Sequence, residues 1–592
     1  LVYAARFGGA KQDYVRDVGV DAAGSATIVG WTNSADLPVT PGAFDSSLSD
    51  YDAFAAQLTP DGSALQWCTY LGGSSPVYFN TTNDRANAVC VNASGDVYLT
   101  GMTDASDYPV TAGAIKSTQP SWTDAFVTRL AKDGTLLYST YLGGVNQDRG
   151  YGIDVDAAGT VYVVGETGGF PVTPGAIGTV KGVQQDGFAC WFQPGGPIQY
   201  ATYLGDDGTG GWDYAYAVRK GADGRVYVAG RTESASFPTT ASGFQTGKSS
   251  GYDGFLVRLS PAGALEYGSF LGGPGGDFSN TRIDLAIDGA GKAWTVGGAT
   301  AGFPTTPGAF QTSSPNPTYA SGVATCFDTN QSGAASVVFS TYIGGSFTDS
   351  LAGVEVDAAG NAWAFGYTVN AGFPTLDAWD DEIGGNSSDM VLVGFDPAGA
   401  PITSSFFGGP GNEPSTFAPQ LQGGLAIDPA GDLYLACTYT GVTVVTPGAF
   451  DTAPFSLGQS NTFVAKWTTD PVTCQADLGF PGPGNLVLSL CGGDLSPGTW
   501  SRLRVEGAKA GSTILLFAST QSNPTFVYEL SATLVPLPIL LTLAIPLGAA
   551  DELDLLVPGV AGPGTVFLQA VAPNQGSTTP IETSNALQVA LP

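Results

Sequence analysis

The chain has 592 residues, too many for one hydrophobic core of ordinary size, so it reads as a repeat array or several domains. Only 21 Lys and Arg stand against 52 Asp and Glu, a formal charge of −31 with no basic stretch, which argues against nucleic acid and anionic membrane surfaces as partners. His is absent, which excludes His-based triads and His-ligated zinc or haem but leaves paired-carboxylate chemistry open.

Gly (84) and Pro (39) punctuate short runs rich in Val, Thr, Tyr and Phe, so the expected class is all-β. The first element, residues 1–9, reads "LVYAARFGG". The phrase returns as "LQWCTYLGGS", "LLYSTYLGGV", "IQYATYLGDD", "LEYGSFLGGP", "VVFSTYIGGS" and "ITSSFFGGPG", at intervals of roughly 60–70 residues. One whole unit is legible from residue 86. "ANAVCVNASG" alternates and turns, "DVYLTGMT" alternates again, and a long loop leads to the strands "DAFVTRLAKDG" and "TLLYSTYLGG". Four such strands, A to D from the inside outward, make a propeller blade. Strands A centred near Val18, Val89, Ile153, Val218, Leu285, Val354 and Leu425 predict seven blades over residues 1–470. The seventh lacks its own strand D. Residues 1–9 are expected to supply it, antiparallel to 461–468, and so to close the ring and cover an exposed edge.

Four recurrent phrases carry a family resemblance: Tyr141 to Gly144, "VDAAGT" from Val155, "FPTTPGAF" from Phe303 and "DAFVTRL" from Asp124. They resemble the bacterial seven-bladed β-propeller repeat family called SBBP. The resemblance implies a secreted or surface-exposed bacterial protein and no particular reaction, because the repeat is a scaffold. Residues 471–592 lose these phrases but keep strand-like runs, from "NLVLSLC" to "NALQVAL". They predict an immunoglobulin-like β-sandwich, similar to C-terminal β-domains of secreted bacterial proteins. Cys474 and Cys491 flank its first strand and are expected to form a disulfide. Cys68 and Cys90 fall on adjacent blades, and their pairing is left open.

Three polar positions recur. The turn after strand A carries Asp21, Asn92, Asp156, Asp288, Asp357 and Asp428, each expected to accept backbone N–H bonds beside a Gly at positive φ. A second ring precedes strand A: Asp13, Asp84, Asp148, Asp213, Asp277, Asp349 and Glu413. A third starts strand C: Asp52, Asp124, Asp186, Asp253 and Asp389, with Asn461 in the seventh blade. The second and third rings share one face of the disc. They either hold Ca²⁺ with backbone carbonyls or pin their loops through N–H bonds. In "FPTTPGAF", Thr306 is expected to cap one helical turn, Pro307 to open it and Phe310 to anchor it; the equivalents are Phe44, Ile115, Ile177, Phe244, Trp379 and Phe450. Residues 205–216 ("GDDGTGGWDYAY") and 376–385 ("LDAWDDEIGG") break the repeat with acids and aromatics.

The leading expectation is a non-enzymatic extracellular or cell-surface protein for structure, adhesion or interaction, with a protein, a surface glycan or itself as partner. A carbohydrate-binding lectin and a carboxylate-based glycan hydrolase are the rivals. The longest apolar run, "ATLVPLPILLTLAIPL", is broken by Pro536, Pro538 and Pro546 and is not expected to span a bilayer.

Overall fold

The computed structural model describes residues 2–468 except 75–82, 120–121, 207, 209, 250, 279–280, 370–371, 379–382, 384–387, 408–422, 440–448 and 451–460; beyond 468 it describes the backbone of the strands from Val487 to Leu591. Glu413, Trp379, Cys474 and most of 376–385 lie outside the described residues.

Residues Tyr3–Trp467 form one compact unit. It contains seven four-stranded antiparallel sheets, each a meander in chain order except the last. In blade 1 the strands are Asp13–Val20, Ala26–Thr32, Asp52–Leu58 and Leu65–Leu71. Strands B and C are buried along their whole length in most blades, because each sheet is covered on both faces by its neighbours. The protein is therefore all-β and a seven-bladed propeller. A single 3₁₀ turn, Gly333–Ser336, is the only helix among the described residues.

Blade 7 closes as the strand count requires. Its order is Tyr3–Phe7, Asn461–Trp467, Leu433–Tyr439, Gly423–Ile427. Tyr3 pairs with Lys466, Ala5 with Val464 and Phe7 with Thr462. Tyr3 also packs on blade 1 as other D-strand aromatics pack on the blade that follows theirs. It lies against Gly62 in the C–D turn, where a Cβ would collide with its ring, and Trp67 meets Gly134 in the same way.

The turn after strand A behaves as its chemistry dictates. Asp156 Oδ1 accepts the N–H groups of Ala158 and Thr160 at 2.9 Å, and Gly159 takes φ 81°. Asp21, Asn92, Asp288, Asp357 and Asp428 repeat the geometry.

The long B–C loop differs from expectation. Residues 304–310 form no helical turn. Thr306 does not cap; its hydroxyl accepts the N–H of Ser340 on strand D at 3.0 Å, which ties the loop across the blade edge. Phe44 is 39% exposed, but Phe310, Ile115, Ile177 and Phe244 are half-buried and pack against the core from its edge; a second, fully buried anchor precedes them in the loop. It is the residue before the first Pro: Leu37, Tyr108, Phe170, Phe237, Phe303 and Phe373 are all buried. Pro disfavours the helical region for the residue before it, so this residue is held extended and points inward.

In the tail the backbone forms sheets of three, five and two paired strands, drawn from Val487–Cys491 through Leu587–Leu591. Cys68 and Cys90 are separate free thiols.

Candidate functional site

The second and third rings come together across blade junctions. Asp52 raises the pKa of Asp84, Asp124 that of Asp148, and Asp186 that of Asp213, as nearby like charges do. Their main partners are backbone N–H groups and hydroxyls. Asp13 accepts from Gly9 N–H (2.8 Å), Thr32 (2.5 Å) and Ser34 (3.1 Å). Asp148 accepts from Gly144 N–H, and Asp349 from Gly345 N–H. In the third ring, Asp52 accepts from Ser49 N–H and Asp186 from Gly182 N–H. Asp124 binds the Lys116 ammonium at 2.8 Å. Asp389 accepts from Met390 N–H. Burial is the leading cause of raised pKa values here: Asp13, Asp124, Asp186 and Asp349 are pushed up to about 6, and Asp52, Asp148 and Asp213 to about 7. Asp253 and Asp277 move in the same direction for the same reason.

Among the described residues no place gathers three or more Asp, Glu or Cys as metal ligands. Four junctions offer two carboxylates each, Asp52 with Asp84, Asp124 with Asp148, Asp186 with Asp213 and Asp253 with Asp277, and Oδ1 of Asp52, Asp124, Asp186 and Asp253 is buried and without a hydrogen bond; strand C starts with Ser321 in blade 5 and with Asn461 in blade 7. A calcium ion there would bind these oxygens. Excess chelator would then lower the melting temperature of the protein; an unchanged melting curve leaves the carboxylates as loop anchors alone.

A second polar assembly lies on the axis of the ring. In blades 1, 2, 3, 4 and 6 the A–B pairing slips by one residue, a β-bulge whose extra residues are Arg16, Asn87, Tyr151, Tyr216 and Ala352. A bulge re-aims its side chain, and Arg16, Asn87, Tyr151 and Tyr216 all line the central cavity. The bulge needs a Gly opposite it on strand B. A Cβ on Gly30, Gly101, Gly165 or Gly230 would collide with the carbonyl of Tyr14, Arg85, Arg149 or Tyr214.

The central cavity has a volume of about 250 Å³. At its lower end, away from the second and third rings, Arg219 pairs with Glu355 at 2.9 Å and lies 4.0 Å from Asp284. The inner carboxylates also staple neighbouring blades: Asp17 accepts Val89 N–H, Asp154 accepts Lys220 N–H and Asp284 accepts Val354 N–H. These residues are spent on holding the ring.

At the other end, on the face of the second and third rings, the cavity joins a mouth of about 320 Å³ through shared Tyr151, Tyr216 and Arg282. Arg149 pairs there with Glu166. Arg231 lies over Tyr214 and Tyr252, each at 4.5 Å, and donates to the Phe278 carbonyl. Arg282 lies over Tyr151 at 5.1 Å. Trp212, 37% exposed, stands at the rim, parallel to Tyr214 within 8°. The irregular segment 205–216 thus delivers Trp212, Tyr214 and Tyr216 to the mouth. The arginines escaped sequence reading because each stands alone in its own blade, Arg282 just before a strand and the others within one. Aligning the residue that follows the second-ring Asp finds Arg85 and Arg149.

No family model and no curated protein matches the chain. Among solved structures it is similar to a protein of unknown function from Dyadobacter fermentans DSM 18053 (11% identity, TM-score 0.35, 68% of this chain and 96% of that one). A second, of unknown function from Bacteroides caccae, has 10% identity and TM-score 0.30 over 61% of this chain and 91% of that one. A glycoside hydrolase family 32 structure from Bifidobacterium adolescentis has 11% identity and TM-score 0.23 over 100% of this chain and 95% of that one.

Proposed function

We propose that this chain is a non-enzymatic binding protein of the bacterial SBBP repeat type, secreted or held at the cell surface, which presents the mouth of its propeller to a partner. Residues 471–592 act in this reading as a β-sandwich that docks, anchors or assembles the ring. The observation that carries the reading is the make-up of the mouth: Arg149, Arg231 and Arg282 with Trp212, Tyr214 and Tyr216, and Glu166 as the one carboxylate of its lining. Glu166 is already engaged by Arg149. Hydrolysis of a glycoside by a carboxylate pair needs two carboxyl groups roughly 5–10 Å apart beside the bond; Glu166 is the one in this lining, and Glu233 behind the rim accepts the backbone N–H of Trp212 at 3.3 Å. Aromatic rings with fixed polar groups suit binding without chemistry. The exposed indole of Trp212 favours carbohydrate as the second reading, a lectin.

A glycan array run alongside a hydrolysis screen tests both. Binding to glycan or cell-surface protein without turnover is expected. Release of reducing ends from any bound glycan, abolished by Glu166→Gln, would replace this reading by the hydrolase.

A further inference from the structure

We propose that the mouth and the upper channel bind the anionic group, carboxylate or sulfate, of an acidic glycan, with Arg16 and Arg282 as its receptors and Trp212 as the platform for a sugar ring. The inference rests on the reading of the mouth as a binding site and names its ligand class.

The starting point is an imbalance of charge. The protein carries 21 basic residues against 52 acidic ones, yet Arg16, Arg149, Arg231 and Arg282 line the channel and its mouth, with Arg85 close enough behind them to oppose the charges of Arg16 and Arg149. Arg149 has its carboxylate, Glu166. Among the described residues no carboxylate forms an ion pair with Arg16, Arg85 or Arg282. Arg85 donates to Asn83 at 2.8 Å and lies over the Trp31 ring at 4.8 Å. Arg282 has the faces of Tyr151 and Tyr216, and within electrostatic reach Asp284, whose carboxylate accepts Val354 N–H. Arg16 has less: its Nε is buried and makes no hydrogen bond.

Arg16 sits where burial and the like charges of Arg282 and Arg85 all disfavour its cation, and its pKa is lowered accordingly. A fold under no demand but stability would not place an arginine at a bulge and surround it with arginines. An anion in the channel removes the penalty, because guanidinium groups recognise carboxylate and sulfate through paired N–H bonds. Low dielectric around the site strengthens that attraction. The hydroxyls of Tyr151 and Tyr216 stay protonated, since burial raises both, and can donate to the same group. A glycan fits better than an acidic peptide. The rim offers the flat indole of Trp212 beside the arginines, a platform for the face of a sugar ring that a glutamate side chain lacks.

The test uses the full chain, with calorimetry and thermal melting. The probes are an oligouronate, a sulfated oligosaccharide, a neutral oligosaccharide of equal length and an oligoglutamate peptide. The oligouronate or the sulfated probe is expected to bind and raise the melting temperature, with weakening as salt rises, and comparison of the two says which anionic group is read. Arg16→Met is expected to raise the melting temperature of the unliganded protein, because it removes a half-buried charge that Arg282 and Arg85 oppose, and to weaken anion binding roughly ten- to hundred-fold. Trp212→Ala, at an exposed rim position, is expected to weaken the glycan probe without changing unliganded stability. Failure of both acidic probes to bind, or equal binding by Arg16→Met, overturns the inference. Preference for oligoglutamate overturns the glycan assignment. Binding of the neutral probe alone overturns the anion site while leaving the binding-protein reading standing.

Discussion

Deletion of residues 1–9 is expected to convert the closed propeller into a less stable protein that associates through blade 7. The outer edge of that blade is Asn461–Trp467, and every ladder partner it has on that side comes from Tyr3–Phe7. Without the strand a row of backbone N–H and C=O groups faces water or another chain. The side chains matter as much. Tyr3, Ala4, Ala5 and Phe7 are all buried, and Phe7 packs against Phe54 of blade 1 with ring centroids 5.2 Å apart. Removing one such aromatic costs about 3–5 kcal/mol. Phe7→Ala alone is therefore expected to lower stability by that amount, and the deletion by more. Denaturant melts and size-exclusion chromatography read both effects. A synthetic peptide, LVYAARFGGA, added in excess should restore the melting temperature of the deletion variant. If the deletion variant keeps the association state and the melt of the full chain, the N-terminal strand does not close the ring.

Closure was legible in the sequence because repetition makes omission visible. A unit that recurs seven times shows where one strand is missing and where a spare one lies. The Asp turns were legible for the same reason, each with its Gly in place. Two apolar positions flank the long loop, and the sequence pointed to the shallower one; the helical turn is absent because the Pro at the loop's centre only resembles a helix start. The Pro at its beginning decides the matter: Phe303 before Pro304 is buried, and Phe310 is only half so. The mouth was hardest to see. Arg16, Tyr151 and Tyr216 occupy bulge positions, and a bulge leaves no hydrophobic period to read. Its trace is the Gly of strand B in "VGWT", "TGMT", "VGET" and "AGRT", which looks like an ordinary weak spot until the opposing carbonyl is placed beside it. No run of basic residues marks the site, because the ring gathers arginines that stand more than 50 residues apart in sequence.

The protein is also expected to be more stable at pH 5 than at pH 8, the reverse of the behaviour of ion-paired carboxylates. Asp13, Asp124, Asp186 and Asp349 are raised to about 6, and Asp52, Asp148 and Asp213 to about 7, chiefly by burial. In the unfolded chain the same groups titrate near pH 3.9. Between these values the native state holds more protons than the unfolded state, so stability falls as pH rises from about 4 through about 7. Each carboxylate contributes on the order of 1–3 kcal/mol to that fall. Easing of the net negative charge at lower pH acts in the same direction. Asp148→Asn isolates one member. The amide oxygen can accept the Gly144 N–H and the amide nitrogen can donate to the Thr167 hydroxyl, both partners of the native carboxylate. The variant should gain at least about 1 kcal/mol more at pH 8 than at pH 5, read from denaturant melts at the two values. Calcium at the blade junctions would reverse the sign: a bound cation holds the carboxylates ionised, and stability would then rise with pH until chelator is added. Melts at both pH values, with and without chelator, thus separate carboxyl groups that hold protons from carboxylates that hold a metal.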